Sequence, residues 1–197
     1  MNNDIIKSIE PLINNPTPEL NTDTWKEFKI SDIFTMERGR EKAPNQNENG
    51  DTPLINEIST NNGFTRKVKP TKIFKGNALT VSINFAKNVF YQEKDFCASV
   101  NIAILRNDKL NKYNGLFIAT ILRHNNKKYS YGYKISKDRL NDTIIKLPAT
   151  PEGKPDYQFM EHYTMSLQYD LEVKIRNDAE DKIDKIRKLL GENNENN

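Results

Sequence analysis

One cysteine and two histidines are all that this 197-residue chain offers a soft metal. A lone Cys97 excludes an internal disulfide framework and a cysteine-built zinc cage, and His124 and His162 leave little for a histidine site. Long apolar runs are missing as well: none reaches the roughly 18–20 residues of a membrane span. The start, MNNDIIKSIEPLINN, has neither a basic beginning nor an apolar core, which argues against a secretory signal. Also absent are the GxxxxGK(S/T) and GxGxxG phosphate loops, the GxSxG elbow and the HExxH zinc motif. No Asn/Asp-Pro-Pro-Tyr or -Phe tetrapeptide is present, which speaks against a self-contained adenine methyltransferase. The 36% of apolar residues is enough for one domain with a core. These absences set the expectation of a soluble, cytoplasmic, metal-free protein.

What is present is an uneven charge. Residues 1–24 carry net −3, residues 25–147 net +10 and residues 148–197 net −4. A basic middle between acidic ends fits a polyanion-binding domain with a separate interaction element; a solvated surface in a Lys- and Asn-rich chain is the plain alternative.

The apolar pattern divides the chain the same way. Residues 4–13 suit one short helix limited by Pro11, and Pro16 and Pro18 follow as a linker. Trp25–Phe34 reads as a strand turning into a short helix, with Ser31 or Asp32 as N-cap. Glu37–Asp51 is a loop by composition. Thr52–Ser59 is a short apolar segment closed by the turn Thr60–Gly63. Strands are expected at residues 73–74, 78–83, 89–91, 100–105 and 143–147, and a helix at Leu116–Leu122. Pro148–Pro155 reads as a Pro/Gly linker. Beyond it, Asp156–Leu190 has no Gly or Pro and steps Phe159, Tyr163, Leu167, Leu171, Ile175, Ala179, Ile183, Ile186, Leu190. That is one face of a long helix approaching a heptad seam, about 50 Å in length. The expected class is α+β. A mixed, mainly antiparallel short-strand domain is followed by one long C-terminal coiled-coil helix, with divisions at 1–24, 25–150 and 151–197.

Three loops interleave cations, amides and aromatics. The first holds Arg38, Arg40 and Lys42, the second Asn61, Asn62, Arg66 and Lys67, and the third runs from Arg123 through Lys127, Lys128 and Tyr131 to Lys134. Lys and Arg neutralise phosphates, Asn and Arg pair with base edges, and Tyr stacks. Three such loops in one +10 domain favour nucleic-acid binding over ordinary polar loops. One string, Pro155-Asp156 with Glu172-Val173-Lys174, fits the PD…ExK formula of metal nucleases. Both halves fall on the one expected helix, 16 residues and about 24 Å apart, too far to share a metal. Cys97 reads as a small buried hydrophobe, His124 as a surface or phosphate-contacting residue and His162 as structural.

Specific strings add a family likeness. WKEFKISDIF (Trp25–Phe34), PLINEISTNNG (Pro53–Gly63), GNALTVS (Gly76–Ser82) with VFYQ (Val89–Gln92), and IKLPATPEGKPDYQFME (Ile145–Glu161) resemble the target recognition domain of restriction–modification specificity (S) subunits. The closest likeness is to the type I and type IIB BcgI-like branches, over roughly residues 25–165. The resemblance implies a non-catalytic subunit that reads half of a split DNA target. Its long helices would pack as a spacer and hold methyltransferase subunits, to which the cofactor S-adenosylmethionine belongs; a restriction subunit can join. Full S subunits carry two recognition domains and two spacer helices, and this chain has room for one of each. Where the family often has a Gly-rich turn after the TVS strand, this chain has Ile83–Asn88.

The expectation is therefore a DNA-recognition half-subunit, homodimeric through Leu171, Ile175, Ile183, Ile186 and Leu190. Its expected contacts to double-stranded DNA are Arg38, Arg40, Asn61, Asn62, Arg66, Lys67, Lys127, Lys128 and Tyr131. Two alternatives stand beside it: an S-subunit mimic that occupies methyltransferase subunits without DNA specificity, and a metal nuclease using Asp156, Glu172 and Lys174.

Overall fold

The computed structural model describes residues 17–126 and 135–189. The expected helix over residues 4–13, the loop residues Lys127, Lys128 and Tyr131, the seam residue Leu190 and the polar tail lie outside the described residues. Leu20–Glu161 forms one compact unit; residues 17–19 and the helix from His162 onward belong to a second.

The first unit is α+β. Its largest sheet is antiparallel, in the order β2 (Thr35–Arg38), β8 (Ile102–Arg106), β5 (Ala78–Ser82), β6 (Val89–Gln92). A second sheet sets β4 (Phe64–Val68) antiparallel to β3 (Asn49–Ile55), with the two-residue β7 (Cys97–Ala98) parallel on the other side. A third ribbon pairs β1 (Lys26–Lys29) with β9 (Ile144–Leu147), joining residues from opposite ends of the unit. β5 is buried along its whole length, as expected of a central strand, and Ile55, Phe74, Phe96, Ala98, Ile102 and Ile104 close the space between the sheets.

Helix α2 (Lys112–Asn125) packs on β6 and β9. It starts before the expected Leu116 because Asn111 caps it: the Asn111 side chain accepts from the N–H groups of Tyr113 and Asn114, and Asn114 returns the bond to the Asn111 N–H. Gly115, Ile118, Ala119 and Leu122 face inward at helical spacing. A Cβ on Gly115 would stand 2.6 Å from the Tyr91 ring, so glycine lets the helix close on β6.

Four local expectations change. The short helix α1 (Ile30–Ile33) is capped from Lys29, not Ser31 or Asp32, because the buried Ile30 is fixed first, its N–H donating to the Thr143 carbonyl at 2.9 Å. The Glu37–Asp51 stretch is no free loop: it ends β2, makes a 3-10 turn at Pro44–Gln46 and begins β3. Residues 73–74 give only a single bridge, Phe74 to Phe96. Pro148–Pro155 is a hydrogen-bonded turn, with Thr150 N–H on the Lys154 carbonyl and Asp156 N–H on the Pro148 carbonyl.

Helix α3 (Lys137–Asn141) is capped by Ser136, and α4 (Tyr157–Leu189) runs for 33 residues. Asp156, one of the nuclease candidates, caps α4: its carboxylate accepts from the Phe159 N–H at 2.9 Å. Glu172 lies sixteen positions further on and accepts from Gln168. In the second unit Thr17 donates to Asp170, while Leu167, Leu171, Ile175, Ile183 and Ile186 are exposed. Among the described residues no helix is long and apolar enough to cross a membrane, and no group of three or more His, Cys, Asp or Glu is placed to hold a metal.

Candidate nucleic-acid interface

The segment Arg-Gly-Arg-Glu-Lys at 38–42 leaves β2 and is laid along the β7–β8 turn by backbone bonds. The N–H of Gly39 donates to Ile102, those of Arg40 and Glu41 to Ala98, and that of Val100 returns to Glu41, all at 2.8–3.0 Å. Burial alternates along it: Arg38, Arg40 and Lys42 are exposed, Gly39 and Glu41 buried. Glycine is needed at 39 because a Cβ there would stand 2.0 Å from the Ser99 carbonyl. The shelf thus holds three cations outward on a fixed backbone.

Both carboxylates of this stretch are spoken for. Glu37 pairs with Lys72. Glu41 accepts the N–H groups of Thr71 (2.8 Å) and Lys72 (3.1 Å) and the Thr71 hydroxyl (3.0 Å). Arg38, Arg40 and Lys42 make no ion pair among the described residues. Arg38 is aimed by a 3.1 Å bond from Nε to the Val100 carbonyl.

Two open depressions flank the row. One, of about 870 Å³, is lined by Glu37, Arg38, Arg40, Val100 and Lys137. The other, of about 430 Å³, is lined by Arg40, Lys42, Gln46, Asn47, Glu48 and Lys69, the last two ion-paired at 3.6 Å on the exposed surface. Arg40 belongs to both, so cations run from Lys137 across the shelf to Lys69. Sequence reasoning missed Lys137 and Lys69. The alternation of RGREK was the available signal for the row; Lys137 is brought in by the tertiary fold.

The second loop is divided. Asn62 lies in the left-handed region (φ 52°) and its amide donates to the Tyr91 carbonyl at 2.9 Å and to Gln92 at 3.2 Å. Its donors are thereby engaged inside the domain. Asn61, also at positive φ, bonds only weakly back to Phe64. Arg66 donates to the Pro44 carbonyl and to Asn49, which fastens the 3-10 turn beside the shelf. Lys67, one residue on, is exposed on the opposite face of β4. The structure thus places Arg38, Arg40 and Lys42 together, makes Arg66 and Asn62 supports, and sets Lys67 apart. His124 sits at the exposed end of α2, in a different depression with Trp25, Asp23 and Glu27.

Residues 22–180 match the model of the type I restriction modification DNA specificity domain. The chain is 34% identical over 149 residues to the type II restriction enzyme BgcI specificity subunit S.BcgI of Heyndrickxia coagulans, a match covering 74% of this chain and 44% of that protein. In fold it resembles the HsdS subunit from Thermoanaerobacter tengcongensis, with TM-score 0.54 and 15% identity over 89% of this chain and 47% of that one. It also resembles the type I restriction–modification S subunit from M. genitalium, with TM-score 0.53 and 14% identity over 95% and 48%. The chain spans about half the length of these relatives. With more than half of its residues inside the family model, the chain belongs to the type I restriction modification DNA specificity domain family.

Proposed function

We propose that this chain is the DNA-reading, non-catalytic specificity component of a restriction–modification system, acting on one half of a bipartite target. The observation that carries this is the row Arg38, Arg40 and Lys42, three outward cations on a backbone-bonded shelf, extended by Lys137 and Lys69. Such a row matches a phosphate backbone, and a fixed shelf lowers the ordering cost of binding. Asn61 and Lys67 are further contacts in this reading, as are Lys127, Lys128 and Tyr131.

The same reading makes the exposed face of α4 an assembly surface. Two copies would pair through Leu171, Ile175, Ile183, Ile186 and Leu190, and adenine methyltransferase subunits would dock on the pair. S-adenosylmethionine would be held by those subunits, and the complex would be cytoplasmic. The placement of Asp156 as a helix cap counts against the nuclease alternative.

Replacing all three cations (Arg38→Ala, Arg40→Ala, Lys42→Ala) tests the row. Each lost phosphate contact lowers the slope of log affinity against log salt by about 0.9. The triple variant is expected to bind duplex DNA with a slope shallower by about 2.7, at an unchanged melting temperature. An unaltered slope places the phosphate contacts elsewhere and sinks this assignment.

A further inference from the structure

Two turns that are bonded to each other, one of them bordering the cation row, each leave an apolar side chain in solvent. Phe85 is 47% exposed at the β5–β6 turn, and Val100 is 48% exposed at the β7–β8 turn. Neither position is loose. The Phe85 N–H donates to Ser82 Oγ at 3.0 Å, and its carbonyl accepts from the Asn88 N–H at 2.7 Å. Glu57 ties the two turns together. Its Oε1 accepts from the Ser82 hydroxyl (3.1 Å) and the Asn84 N–H (3.3 Å), and its Oε2 from Asn101 Nδ2 (2.9 Å). The Ile83 N–H adds a bond to the Asn101 carbonyl at 2.9 Å. Val100 in turn lines the depression that holds Arg38, Arg40 and Lys137.

An aromatic ring held out in water on a bonded turn gives folding nothing for its exposed area. Its neighbourhood names an occupant. The cations that share a depression with Val100 suit phosphates, and a duplex seated on them would bring the edges of its base pairs over these linked turns. The apolar group that those edges offer in the major groove is the C5-methyl of thymine, for which a phenylalanine side chain is a fitting contact. We propose that Phe85, on the turn that Glu57 ties to that of Val100, is a specificity determinant that receives a thymine methyl group. The assignment rests on the DNA-binding reading above and adds a base preference to it.

The test uses the full chain, unchanged and as Phe85→Ala, an exchange of an exposed side chain. A randomised duplex library is first used to select the sequences that each form binds. Thymines in the selected duplex are then replaced one at a time by deoxyuridine, which removes only the methyl group. The unchanged chain is expected to lose about fourfold in affinity at one thymine, the worth of one buried methyl group. Phe85→Ala should be indifferent to that replacement while keeping the same salt slope. The assignment is overturned if the variant keeps the uracil penalty. It is equally overturned if the variant weakens on all sequences alike, which would indicate a stacking wedge. An unchanged chain that selects no duplex overturns the DNA-binding reading itself, and this assignment with it.

Discussion

Between Arg40 and Lys42 the chain buries a carboxylate, and the shape of the basic row depends on it. Glu41 is 1% exposed and accepts three hydrogen bonds from Thr71 and Lys72. It fastens the turn after β4 to the shelf, close to where Lys69 borders the cation track. Its negative charge also acts on Cys97: burial first, then Glu41, pushes that thiol up to about 12, which suits a side chain that serves as a small buried hydrophobe. Glu41→Ala removes the acceptor of three bonds, each to a charged group, and is expected to cost about 2 kcal/mol. The melting temperature should fall by about 5 °C. Glu41→Gln keeps an acceptor oxygen and should recover part of the loss; equal melting of all three forms would show that the turn does not need the carboxylate. Residues of this kind are the least legible in sequence. Asn62 and Arg66 count as reading residues by type, yet the Asn62 amide donates to Tyr91 and Gln92, and Arg66 gives two of its donors to Pro44 and Asn49, partners 17 to 30 positions away. Residue type says what a side chain can bond, and only the fold says which bonds are already taken.

At the scale of elements, legibility follows how local the cause is. The steps of four from Phe159 to Ile183 state a helix without help from the rest of the chain, and α4 follows them. The turn at Asn61–Gly63 was equally plain, since three successive residues that tolerate positive φ adopt it. The RGREK shelf reads as loop in sequence because its order comes from strand residues about 60 positions later, and Arg, Gly and Asn carry no strand signal of their own. The turn at Pro148–Pro155 hides for the opposite reason: its Pro and Gly look like a linker, but the segment closes on itself, Thr150 bonding Lys154 and Gly153, and Pro148 bonding Asp156. For α4, the exposure of Leu171, Ile175, Ile183 and Ile186 is what an unpaired seam presents. Ile183→Asp sets a charge into that seam. Sedimentation is expected to show the unchanged chain as a dimer and the variant as a monomer with the same circular dichroism. A variant that stays dimeric would move the interface off this face.

For the whole molecule, the telling quantity is length against symmetry. The chain spans about half the length of the relatives named above, and it carries one described unit of the recognition type with one long helix. Two copies related by a two-fold axis would present two identical readers, and identical readers facing opposite ways on a duplex require a target that repeats in inverted order. A methylation map of DNA from cells that co-express this chain with its methyltransferase is therefore expected to show methyl-adenine in an interrupted palindrome, absent without the chain. The triple Arg38, Arg40 and Lys42 variant should thin the mark at every site. Phe85→Ala should instead relax one thymine position in both half-sites, because each copy carries the same side chain. An asymmetric split motif would mean that a second, different reader completes the assembly. A stable complex that leaves no mark would favour a mimic that occupies the methyltransferase, in which the cation row has no DNA to meet.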